Sequence, residues 1–513
     1  MAPSHGGNPD PVTEEPLVTR EHEADAAQDQ AEHDQVGHDQ AGHDQPHPRR
    51  WRILAVSLVI GFMALLDVTI VNVAIPSIQG GLHTSAATVQ WVVSGYALAF
   101  GLTLVTGGRL GDAYGRRTMM LVGLTGFIAA SAGVGLAPTA TWVVVGRLVQ
   151  GASAGLLTPQ NSGLIQQLFR GRERARAFGL FGLVVSISSA TGPVLGGLII
   201  AAFGEEHGWR YIFLVNVPIG LVAMVAVARM VPQRPRDQRE NGTHLDLLGA
   251  GLLGVAVLCV LLPTVAAEGG DRLPLLLLLA AVPLGWAFVR RELGLVRRGG
   301  APLLDIDLLR RTPGYANGVA VGALYFTGFT GFFLVLSVYY QEDLGLTALQ
   351  AGLLMCPFAV GSAITAPLSG RVVSDLHRKV TVLALLTIMA GILLVALVVP
   401  AVATDRLWLA AVPVTFLAGL GGGGVVSPNM TLSLEDVPPR MGGAAGGALQ
   451  TGQRIGASIG AALAMTVYQL TLASHGGGTA LRAALLTGLL LLGASLTMAV
   501  RALRTDPGVQ TGA

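Results

Sequence analysis

From residue 53 onward, apolar runs of about twenty residues recur, each closed by a short polar or arginine-bearing stretch. The runs fall at 53–76, 87–107, 118–137, 142–163, 177–202, 211–231, 247–267, 273–289, 316–340, 348–369, 379–400, 407–427, 443–470 and 480–500. As a helix, a run of that length crosses a hydrocarbon core of about 30 Å and satisfies its backbone polar groups internally. The pattern predicts an all-α membrane protein with fourteen transmembrane helices. They group as a six-helix bundle (53–231), two additional linker helices (247–289) and a second six-helix bundle (316–501). Arginine-rich segments, 232–246 and 290–315, flank the middle pair.

The positions of the basic residues test that count, because loops facing the cytoplasm collect Arg and Lys. With the N-terminus inside, 26 basic residues fall on the cytoplasmic side and 4 outside: Arg210, Arg272, Arg406 and Arg482. Removing or adding one helix would scramble this split, so both termini are expected in the cytoplasm of a bacterial cell. Composition agrees: 51% of residues are hydrophobic and 12% charged, against about 25% charged in an average soluble domain. The net charge of +2 then reflects topology and gives no nucleic-acid signal. Cys259 and Cys356 lie inside predicted helices as small apolar residues, with no redox role expected.

Residues 1–50 form a polar cytoplasmic tail without a cleavable secretory signal. The unit HDQ recurs in it at positions 33, 38 and 43. Histidine tracts can bind metal, but the tail has too little apolar surface to fold and is expected to be disordered. Residues 502–513 form the second cytoplasmic tail.

Against this apolar background the intramembrane polar residues stand out. Asp67 lies in LDVTIVNVAIP (66–76) of the first predicted helix. An acid at mid-helix costs about 2.5–3.5 kcal/mol on insertion scales, so such residues face cavities and mark ion or proton pathways. Removal from water favours the neutral acid, which a proton carrier needs. The other reading is a structural carboxylate hydrogen-bonded by Thr69 or Asn72. Arg147 lies in GRLVQGASAG (146–155) of the fourth helix. It keeps its proton and, beside a carboxylate, favours the ionised form, so joining and parting the two would switch protonation. Alternatively Arg147 snorkels to the interface. Asn72, Gln150 and Arg454 are further candidates for substrate or coupling contacts.

Three strings carry backbone signals. GRLGDAYGRR (108–117) is a glycine-punctuated loop with Gly108, Asp112, Gly115, Arg116 and Arg117, and Asp112 is suited to capping a helix N-terminus. SGRVVSDLHRK (369–379) occupies the equivalent loop of the second half, with His377 where the first copy has Gly115. In the fifth helix, GLVVSISSATGPVLGGL (182–198) holds Gly192, Pro193, Gly196 and Gly197, which permit close helix approach and a kink. GGAAGGALQTGQRIGASIGAAL (442–463) offers a similar small-residue surface around Arg454.

Together these strings, with WRYIFLVNVPIG at 209–220, resemble the major facilitator superfamily, in particular its fourteen-helix drug:proton antiporter branch, across all fourteen spans. Ala113 departs from the pattern, which usually has an arginine there. The resemblance implies two bundles rocking around a midplane site. Asp67 and Arg147 would serve proton coupling, Asp112 would cap the thirteenth span in the state closed to the cytoplasm, and the Gly192–Gly197 motif would limit leak between the halves. The expected activity is proton-driven export of lipophilic organic compounds, such as antibiotics, drugs, dyes or self-made metabolites, with the proton gradient as energy source and no cofactor. Spans nine to fourteen have no interior acid, so monocations, zwitterions or neutral compounds are expected, with proton and cation competing for Asp67. Proton-coupled uptake of a small organic nutrient is the alternative. An enzyme is not expected, since no HExxH, CxxC or phosphate-binding loop occurs. The chain is expected to act as a monomer in the lipid bilayer of the inner membrane.

Overall fold

The computed structural model describes residues 48–233, 246–268, 276–298, 300 and 302–504. The HDQ repeat and the C-terminal segment after Arg504 lie outside the described residues. Those described form sixteen α-helices. The first half comprises α1 (Arg50–Gly81), α2 (Ala86–Tyr114), α3 (Arg116–Gly135), α4 (Ala140–Leu168), α5 (Gly171–Phe203), α6 (Gly208–Leu214) and α7 (Asn216–Met230). Between the halves lie α8 (Leu247–Glu268) and α9 (Leu277–Arg297). A short α10 (Ile306–Arg311) leads into α11 (Pro313–Val338), α12 (Ala348–Leu376), α13 (Arg378–Val398), α14 (Leu407–Ser433), α15 (Gly442–His475) and α16 (Gly477–Arg504).

Local chemistry sets several boundaries. Ser85 and Thr139 cap α2 and α4 by accepting from the amides of Thr88 and Trp142, and Thr347 forms a capping box with Gln350 at α12. The break between α6 and α7 falls at Val215. Pro218 has no amide hydrogen to give the carbonyl four residues back, so a straight helix cannot pass through Leu214. Two turns at the arginine-rich end each have a residue of positive φ. Gly115 has φ +94° and His377 has φ +45°, so the second copy of the duplicated loop puts a side chain where the first has the residue suited to that conformation.

Among the described residues, twelve helices are long and apolar enough to cross a membrane: α1 to α5, α6 with α7, and α11 to α16. The predicted middle pair is not among these twelve. Both of its members are helices, α8 with an apolar stretch that includes Leu248–Pro263 and α9 with Arg290, Arg291 and Glu292 near its end. Asp246, just before α8, ties the pair together by accepting from Arg291 Nε and Nη2 at 2.6–3.0 Å, which holds its carboxyl below the usual range.

Each half has its own core. Ile53, Met63, Tyr96, Phe127 and Leu157 are buried in the first, and Tyr325, Phe332, Phe358, Ile388 and Tyr468 in the second. Two seams join the halves: α2 packs against α15, and α5 against α12. Helix α8 lies against both α2 and α15, so one of the inserted helices touches both halves at the first seam.

Candidate functional site

Asp67 sits in α1 with no exposed surface. Its carboxylate forms a buried ion pair with Arg147 on α4. The same carboxylate accepts from Gln150 Nε2 at 2.9 Å and from Asn216 Nδ2 at 3.0 Å. Of the partners in the structural alternative, the Thr69 hydroxyl donates instead to the carbonyls of Leu66 and Ser188, and the Asn72 side chain lies outside the described residues. Arg147 does not snorkel. It is 1% exposed, its Nε donates to the Val92 carbonyl at 2.9 Å and its Nη1 to Gln150 Oε1 at 2.9 Å. Its guanidinium carbon lies 4.1 Å from the centroid of the Tyr96 ring. Gln150 completes the network by donating to Ser131 Oγ at 2.8 Å.

Sequence reasoning missed Asn216, Ser131 and Tyr96. Asn216 had a signal, a lone amide in the apolar string FLVNVPIG, and the α6–α7 break begins α7 at that residue. All three donors point at carboxylate oxygens, an arrangement that suits the ionised acid. Asn216 Oδ1 is buried and has no partner among the described residues. Rotation of that amide would turn a donor into an acceptor for a carboxyl O–H.

The loop residues gather at the arginine-rich end. Asp112 accepts from the backbone amides of Gly443 and Ala444 at 3.1 and 2.8 Å, at the N-terminus of α15, which is the thirteenth predicted span. It also pairs with Arg116 at 3.0 Å, and Ala113 is buried beside it without hindering either contact. Arg116 donates onward to the Pro439 carbonyl at 2.9 Å, and Arg117 to that of Ala228. Gly108 lies so close to Gly443 that a Cβ would strike its carbonyl. With Gln166 donating to the Leu434 carbonyl at 2.6 Å and Gln450 to Ser162 Oγ at 3.2 Å, these contacts close the arginine-rich end.

The fifth-helix motif acts inside the first half. Gly192 abuts Thr69 and Gly196 abuts Ile70 and Val73, all on α1, while Gly197 faces open space. The Pro193 side chain lies outside the described residues. The motif therefore brings α1 and α5 together next to Asp67, and the contact of α5 with α12 is made elsewhere, by Gly179 and Gly182 and by Ser186, whose Oγ lies 2.8 Å from that of Ser362. Arg454 stands apart from the Asp67 network, over the Phe100 ring at 4.6 Å.

Two helical halves meeting around polar groups buried at membrane depth make the architecture of a secondary transporter. The chain belongs to the Major Facilitator Superfamily, whose profile matches residues 57–461. It is 36% identical to the probable actinorhodin transporter of Streptomyces coelicolor, over 82% of this chain and 73% of that protein. It is 34% identical to the puromycin resistance protein pur8 of Streptomyces alboniger, over 91% and 94%. The fold matches that of the human organic anion transporter MFSD10 with a TM-score of 0.64 at 17% identity, covering 88% of this chain and all of that one.

Proposed function

We propose that this protein is a proton-coupled antiporter of a bacterial inner membrane, acting as a monomer to export lipophilic organic compounds by alternating access. The observation that carries the reading is the Asp67–Arg147 pair, sealed at membrane depth in a chain whose relatives are named for antibiotic transport and resistance. Fourteen crossings with both termini inside fit the arginine distribution. In support, α8 and α9 have 22 and 21 residues, or about 33 and 31 Å of helix, enough to span.

In the conformation closed at the arginine-rich end, ionised Asp67 holds Arg147 and accepts from Gln150 and Asn216. Protonation removes the charge that Arg147 faces and asks one donor to become an acceptor, a change the unpartnered Asn216 oxygen can supply. The ion pair is then lost, α1 and α4 are released from each other, and the halves rock. Asp112 at the head of α15 acts as the latch of the closed end. This couples one proton-binding event to the exposure of the site on the other side.

The test is transport into proteoliposomes under an imposed pH gradient, with actinorhodin and puromycin as probes, comparing the parent with Asp67→Asn. Gradient-driven accumulation is expected to fall to background in the variant while downhill exchange persists. Undiminished accumulation would remove Asp67 from proton coupling, and movement of neither probe by the parent would remove the export of those compounds.

A further inference from the structure

Two arginines flank one aromatic stack at membrane depth, and only one is matched. Tyr96 and Phe100 lie on α2 with ring centroids 6.1 Å apart and planes 8° from parallel. Arg147 covers Tyr96 and is bound to Asp67. Arg454 covers Phe100 from the other half. It is the thirteenth residue of α15, about 18 Å along the helix from the arginine-rich end. It is half-buried, donates no hydrogen bond and pairs with no carboxylate among the described residues. Tyr96 is the titratable group that faces it.

Gln453, next in the chain, is likewise half-buried and donates no hydrogen bond. Its amide stands over Gly322 beside that of Asn429, each about 3.3 Å from where a Cβ would be. An unmatched guanidinium at this depth is costly unless it faces water or a ligand. The geometry offers an aromatic floor and a fixed cation where α15 meets α2, with an amide, unpartnered among the described residues, one position away on α15 and turned toward α11 and α14.

Resting on the export reading, we propose that Arg454, with Gln453 beside it and Phe100 beneath it, binds the carboxylate or ionised phenol of an aromatic substrate. A guanidinium takes a carboxylate through two parallel hydrogen bonds and stacks on ring faces, so it recognises both parts of such a molecule. The sequence alone pointed to monocations, zwitterions or neutral compounds, with the proton and any cation competing for the single acid, Asp67. In the structure Asp67 is already matched by Arg147, and the charge left over at the seam is positive. A cation would be repelled there, whereas an anion would be drawn to a site next to the proton site that does not share its carboxylate.

A matched set of probes tests this: 1-pyrenebutyrate, its methyl ester and pyrenebutyl trimethylammonium, carried by the full chain in phosphatidylcholine vesicles under a pH gradient. The parent is expected to move the acid in preference to the ester and to leave the cation behind. In Arg454→Gln the acid-over-ester ratio should fall about tenfold, the value of one charge-assisted hydrogen bond, and in Arg454→Lys it should recover in part. The ester in the same vesicles reports the folded, transporting fraction, so a ratio separates a lost site from a lost protein. An unchanged ratio in Arg454→Gln, a parent that prefers the cation, or a parent that moves neither acid nor ester overturns the proposal. Transport of actinorhodin and puromycin decides the export reading separately.

Discussion

At the arginine-rich end the loop after α2 meets α15, and its duplicate after α12 meets α5. Counted back from Gly115 and His377, Gly108 and Gly370 occupy the same position, and each lies against a glycine of the facing helix, Gly443 in one case and Gly179 in the other. Four residues further on the copies part. The first has Asp112, fully buried, accepting two backbone amides of α15 and paired with Arg116. The second has Ser374, half-buried, donating to the Arg371 carbonyl of its own helix at 3.4 Å. Beside it Asp375 reaches across to Arg172, with the two side chains 57% and 74% exposed. Duplication has kept the steric half of the contact at both seams and the buried electrostatic half at one. The first seam therefore holds a latch to which one buried carboxylate adds charged contacts, and the second is a packed hinge with a solvated ion pair at its edge.

Asp112→Ala is the sharpest way to break that difference. It removes the acceptor of two helix N-terminal amides and leaves Arg116, 8% exposed, without its carboxylate. Stranding buried charged and polar groups costs about 2–3 kcal/mol, which would shift the closed-to-open ratio roughly 30- to 150-fold. Labelling of Ser162→Cys by an impermeant maleimide from the arginine-rich side, in a chain with Cys259 and Cys356 replaced, should accelerate accordingly. Unchanged labelling would mean Asp112 holds nothing shut.

The steric half should behave alike at both seams. A Cβ at Gly370 would come within 2.6 Å of the Ala175 carbonyl oxygen and 2.7 Å of Gly179 Cα, and one at Gly108 would strike Gly443. Overpacking of this kind costs about 1–3 kcal/mol. Gly108→Ala and Gly370→Ala should thus speed labelling at Ser162→Cys by comparable factors, smaller than that of Asp112→Ala. Sensitivity at one glycine alone would show that the seams do not share a packing role.

Much of this arrangement was legible in the chain because it rests on local or repeated signals. Apolar runs gave the helices, a charge in an apolar run singled out Asp67 and Arg147, and the repeated loop announced the two halves. What stayed hidden depends on convergence from distant segments. Asn216 reaches Asp67 across 149 positions, and only the break made by Pro218 explains its placement. Arg454 stands in the sequence as a candidate for substrate or coupling contacts, but its lack of a partner is a tertiary fact.

Arg172→Ala is the mildest test, and it bears on the comparison most directly. Its ion pair with Asp375, at 2.7 Å, is as short as a strong buried one, so distance alone would rank it with Asp112. Exposure decides otherwise. Water screens both charges, two long side chains must be held still to meet, and exposed pairs of this kind are worth about 0–1 kcal/mol. At 0.15 M ionic strength the screening length is about 8 Å, and it shortens to about 3 Å at 1 M. Arg172→Ala should therefore change labelling at Ser162→Cys by less than about fivefold, and high salt should abolish even that, because salt has already weakened the pair in the parent. The effect of Asp112→Ala, arising from groups out of contact with solvent, should persist in the same salt. A salt-resistant effect of Arg172→Ala as large as that of Asp112→Ala would mean that both seams are latched by charge.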